Sequence, residues 1–93
     1  PYLYLASQLA AGLAGCEAAL DPGPGAEAPY APDKPLLPAS LGQAVEALAA
    51  SEMFVSRWGR AFMDYYVHLK RAELARFGLE VTEWEQREYF DMF

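Results

Sequence analysis

The groups of this 93-residue chain whose types could do chemistry are one cysteine, one histidine and a set of acids near the end. Cys16 with His68 would supply a thiol nucleophile and a general base, but the two stand far apart in sequence. A zinc site needs further His or Cys ligands at short spacing, and there are none, so His68 reads as a partly exposed helix histidine. Glu80, Glu83, Glu85, Glu88 and Asp91 could bind a hard cation or move protons. Interleaved with Arg87 on a helix, they read instead as a solvated face. Pro-Gly-Pro-Gly at residues 22–25 lacks the strand before it, the helix after it and the Lys-Ser or Lys-Thr that make a phosphate loop. The residues thus offer no catalytic, cofactor-binding or metal-ligating set.

Composition narrows the classes further. Thirteen acids against 7 bases give a net charge of −6. That excess argues against nucleic acid, where Lys and Arg must replace counterions, and against an anionic membrane surface. A single cysteine cannot close an internal disulfide, so a reducing compartment, the cytoplasm, is expected. The apolar stretch over residues 2–14 is too short to span a bilayer, and Ser7 and Gln8 interrupt it. No basic residue precedes it, as a signal peptide would require. The length allows one domain, residues 1–93, with a modest core.

The elements that would position these groups are helices. Residues 1–20 carry Tyr2, Leu5, Leu9, Leu13, Cys16 and Leu20 at steps of three or four, one helical face. Between them lie Ala6, Ala10, Ala11, Gly12, Ala14 and Gly15, small enough for close approach to another surface. A helix this apolar belongs inside a larger body, so an exposed apolar face is expected here. The chain also opens directly on this face, which suggests that it begins within something longer. Residues 21–38 read as a long Pro/Gly-rich loop with Tyr30 as its one aromatic residue.

Ser40 reads as the N-cap of a short helix over residues 40–50, with Gln43 completing a capping box and Leu41, Val45 and Leu48 as its stripe. Ser51 caps a further turn bearing Met53, Phe54 and Trp58, and Gly59 marks a bend. Residues 60–77 form the long helix. Phe62, Tyr66, Leu69 and Phe77 line its face, flanked by Met63, Tyr65 and Leu74, and Gly78 suits the left-handed position that ends it. Thr82 and Glu85 make a second capping box for a last helix. Tyr89, Phe90, Met92 and Phe93 are too apolar for a free tail and are expected to dock on the long helix or on another subunit. The fold class is therefore all-α, four to five helices and a long loop.

Several of these stretches together resemble the C-terminal end of the glutamine synthetase family. Residues 1–23, PYLYLASQLAAGLAGCEAALDPG, are similar to the segment that follows an Asn in that family, where Pro-Tyr-Leu leads into a small-residue helix and a Pro-Gly loop. Leu37-Pro38-Ala39-Ser40-Leu41 resembles its Leu-Pro-x-Ser-Leu helix. YYVHLKRAELARF (65–77) and VTEWEQREYFDMF (81–93) resemble its last helices, nearest to the γ-glutamyl-amine ligase branch. The resemblance covers essentially the whole chain, in order.

It implies the helical end of an ATP-dependent ligase, without the β-strands of the catalytic domain. The parent enzyme would use ATP and Mg or Mn to phosphorylate the γ-carboxylate of glutamate, and ammonia or an amine would then displace phosphate. Its catalytic, ATP-binding and metal-binding residues precede the position of Pro1, so none carries over. The implied partners are the rest of the catalytic domain and the subunits of a homo-oligomer. In some bacterial members a tyrosine of this loop accepts an adenylyl group. Tyr30 stands at about that place, within Ala-Pro-Tyr-Ala-Pro rather than Asn-Leu-Tyr-Asp-Leu, a departure that speaks against modification. Two other readings stay open: a free-standing helical interaction module that binds a partner through Tyr2, Leu5, Leu9 and Leu13, and a small enzyme using Cys16.

Overall fold

The computed structural model describes residues 1–25 and 35–92, and for Asp91 the backbone alone. Among the described residues five α-helices follow one another: α1 (Tyr2–Glu17), α2 (Leu41–Ala49), α3 (Glu52–Trp58), α4 (Arg60–Phe77) and α5 (Glu83–Tyr89). A single 3-10 turn, Phe90–Met92, closes the series. Among the described residues there is no strand, as expected for the all-α class. Residues 18–25 and 35–40 are irregular. The rest of the predicted loop, Tyr30 included, lies outside the described residues.

Local hydrogen bonding sets most of the boundaries. Pro1 stands just ahead of α1, where its carbonyl accepts from the Leu5 N–H at 3.0 Å. The Ser40 hydroxyl accepts from the Gln43 N–H at 3.2 Å, and Ser51 does the same for Phe54 at 3.4 Å. The expected reciprocal half of the first box is displaced by one residue: Gln43 Oε1 accepts from the Ala39 N–H at 2.9 Å, not from Ser40. Ala50 and Ser51 alone separate α2 from α3, and Gly59 alone separates α3 from α4. Gly59 sits at φ 81°, ψ 148°, a conformation essentially confined to glycine, so the bend expected there is built on the one residue that tolerates it.

Two helix ends differ from the sequence expectation. The first helix stops at Glu17 rather than Leu20, because Ala19 turns left-handed at φ 49°. Gly78, by contrast, stays right-handed at φ −67°, ψ −9°. After α4 the chain keeps the helical hand through Leu79 N–H to Arg76 O (3.1 Å) and Glu80 N–H to Phe77 O (3.0 Å). With no reversal of hand there, the glycine's freedom is not used.

The packed centre is small. α2 lies on α4, α3 on α4 and α1 on α3. Ala10, Val45, Met63 and Val67 are the buried apolar residues, Met63 most completely at 1% exposure. The first helix packs as its small residues predict, through Ala10 with Ser7, Ala14 and Gly15 half-buried. On α4 the buried stripe is Met63 and Val67 with Leu74 beside it, one step round from the predicted face. Leu69 and Phe77 remain exposed.

α5 contributes nothing to this centre: every residue of Glu83–Tyr89 is exposed, and it packs on the 3-10 turn that follows it. Among the described residues the expected docking of the C-terminal aromatics on the long helix is therefore not found, and Phe90 is 83% exposed. The radius of gyration is 18.3 Å, against about 12 Å for a compact domain of this length.

Candidate functional site

The titratable groups singled out in the sequence are not gathered by the fold. Cys16 is exposed on the last turn of α1. His68 is exposed on α4, which packs on α2 and α3, whereas α1 packs on α3. Among the described residues no group of three or more His, Cys, Asp or Glu side chains comes together to hold a metal ion. Glu80, Glu83, Glu85 and Glu88 are all exposed, as a solvated face requires. Tyr30 falls outside the described residues.

The remaining charges are mostly committed to structural pairs. Arg57 of α3 bridges to Glu17 of α1. Arg71 of α4 grips Glu46 of α2 through two hydrogen bonds, Nε to Oε1 at 2.9 Å and a terminal nitrogen to Oε2 at 2.8 Å. Arg60 faces Asp64 one turn along at 3.6 Å. Arg60, His68 and Arg71 line one depression with Ala49, Met63 and Val67. Both arginines there already have carboxylate partners, so the depression offers little net charge to an anion.

Lys70 Nζ donates to Glu73 Oε2 at 2.7 Å and lies 6.0 Å from the centre of the Tyr66 ring. The hydrogen bond to Glu73, and then its charge, raise the Lys70 pKa, and the same bond and charge lower that of Glu73. Glu85 is held below its ordinary value by the Thr82 backbone N–H and then by the Thr82 hydroxyl. All three groups are solvated and each shift is accounted for by a helix-surface or capping contact. None has the desolvation that tunes a catalytic acid or base.

What the fold does assemble is apolar surface. Tyr2, Leu5, Leu9, Leu13 and Leu20 of the predicted stripe are all exposed, Leu9 at 69%. The side of α1 that carries Leu3, Tyr4 and Ser7 borders a groove of about 340 Å³ with Leu48, Phe54, Trp58, Phe62 and Tyr66. The four rings form a continuous row. Phe54 stacks on Trp58 at 4.7 Å, Trp58 meets Phe62 edge-on at 5.8 Å, and Phe62 stacks on Tyr66 at 6.1 Å. The sequence reading assigned these rings to two separate helices and missed the row. Their constant spacing of four was the available signal, obscured by Gly59 in its middle. A second shallow apolar cradle joins Leu41 and Gly42 of α2 to Leu74 and Phe77 of α4. Apolar surface of this extent excludes water when something covers it; it supplies no proton, electron pair or ligand.

Comparison with known proteins gives these surfaces a setting. A family model described as glutamine synthetase, catalytic domain, matches residues 1–89. The chain is 44% identical to a gamma-glutamylanilide synthase of Acinetobacter sp, over 99% of this chain and 21% of that protein. It is 37% identical to a glutamine synthetase of Archaeoglobus fulgidus, over 99% of this chain and 21% of that protein. It is 35% identical to a gamma-glutamylethanolamide synthetase of Streptomyces coelicolor, over 98% of this chain and 20% of that protein. The chain thus spans about a fifth of the length of the curated relatives it matches. No solved structure matches it.

Proposed function

From the premise that the chain belongs to the glutamine synthetase catalytic-domain family, we propose that it is the C-terminal helical part of an ATP-dependent ligase joining glutamate to ammonia or an amine. Its own role is structural. α1 seats the helices against the rest of the catalytic domain, and the exposed α5 and its aromatic end take part in contacts between subunits of a homo-oligomer. The segment is not catalytic by itself. The reaction in this reading transfers the γ-phosphoryl group of ATP to the γ-carboxylate of glutamate, after which the amine nitrogen attacks the acyl carbon and phosphate leaves.

The observation that carries the reading is the exposed row Tyr2, Leu5, Leu9 and Leu13 on a helix whose opposite side is already packed. Side chains of this size, aligned along one face, match a surface built to be covered. ATP and a divalent cation, Mg or Mn, belong to the proposed whole enzyme. The described residues of this chain do not fit either group: no acidic or histidine cluster is present among them, and the Pro-Gly-Pro-Gly stretch is not followed by the Lys-Ser or Lys-Thr of a phosphate loop. No step is therefore assigned to these residues. The exposed thiol of Cys16 suits a reducing cytoplasm.

The test uses the whole protein that contains this segment. Phosphate release from ATP is measured with glutamate and, in turn, ammonia, ethanolamine and aniline, in the presence of Mg²⁺ or Mn²⁺. The expected result is release that requires both glutamate and an amine. Leu9→Asp in the same protein is expected to reduce the assembled, active form at least tenfold. Phosphate release indifferent to glutamate would overturn the ligase assignment. Normal assembly and rate with Leu9→Asp would overturn the role given to α1.

A further inference from the structure

We draw no further inference here: the strongest candidate, the aromatic groove shared by α1, α3 and α4 and lined by Tyr4, Phe54, Trp58, Phe62 and Tyr66, is an unpartnered apolar face, and nothing in the structure shows what covers it.

Discussion

The Leu20 N–H reaches back to the Gly15 carbonyl at 3.0 Å, and Leu20 Cδ1 lies 4.0 Å from where a side chain on Gly15 would begin. Together with Ala19 N–H to Cys16 O at 3.1 Å, this is the paired closure that satisfies the last carbonyls of a helix. Its left-handed residue is Ala19, at φ 49°. An alanine pays a steric cost there that glycine does not. Ala19→Gly is therefore expected to stabilise the chain by about 0.5–1 kcal/mol, after the greater backbone entropy of glycine is set against the relief. Urea denaturation followed by circular dichroism would measure it, and a loss of stability would contradict the assigned helix end.

The Thr82–Glu85 box makes α5 sensitive to acid. Seven residues are too few for a helix to persist in water on propensity alone. The Thr82 hydroxyl accepts from the Glu85 N–H at 3.2 Å, and Glu85 Oε2 accepts from the Thr82 N–H and hydroxyl, each at 2.8 Å. The folded-state pKa of Glu85 is lowered, so its stabilisation is complete above the unfolded value, about 4.3, and is lost as pH falls through the folded one. The ¹³Cα shifts of residues 83–89 should show helicity declining in that window. Glu85→Gln keeps an acceptor and should flatten the profile. Thr82→Ala should cost about 0.5–2 kcal/mol of local helix at neutral pH.

The packed centre has little reserve. Met63 is the most enclosed side chain, at 1% exposure, among the four buried apolar residues of the described part. Met63→Ala should cost about 2–5 kcal/mol, a large part of the total that holds a domain of this size. The expected outcome is loss of a cooperative thermal transition in the isolated chain. Phe90→Ala, at an exposed position, should change stability by less than about 0.5 kcal/mol. Similar melting of the two variants would place the core elsewhere.

The uncovered face of α1 should make the isolated chain self-associate. Sedimentation velocity on the 93-residue chain is expected to show concentration-dependent oligomers. Leu9→Asp with Leu13→Asp should return it to a monomer without loss of helix content, because both side chains are exposed within one chain. A monomeric parent chain at high concentration would count against this face as a docking surface.

The caps were the most legible part of the sequence. Ser40, Ser51 and Thr82 each bond a backbone N–H three residues on, an interaction settled within a single turn. α4, from Arg60 to Phe77, has no such cap; its placement followed from its apolar periodicity between Gly59 and Gly78. Which side of α4 is buried was less legible. Periodicity finds an apolar face, but α4 has Phe62 and Tyr66 on one side and Met63 and Val67 on the other. The packing of α2, distant in sequence, on α4 is not written in the periodicity of α4 itself. Helix ends that depend on where the chain goes next were misread for a related reason: the left-handed position fell on Ala19 and not on Gly78. The apolar stripe on α1 was visible at once, whereas the aromatic row across Gly59 needed α3 and α4 in place, and the groove beside it needed α1 as well.

The two tryptophans, one in the aromatic row and one on α5, give the molecule two distinguishable light emitters. Trp58 is half-buried, stacked on Phe54 and edge-on to Phe62. Trp84 stands on α5 in water, touched edge-on by Tyr89 at 6.2 Å. An indole among rings fluoresces at shorter wavelength than one in solvent, so the emission of the intact chain is a sum of a blue and a red component. Whatever covers the groove will move the first, and whatever captures the tail will move the second. The chain reports on each half of its surface without an added label.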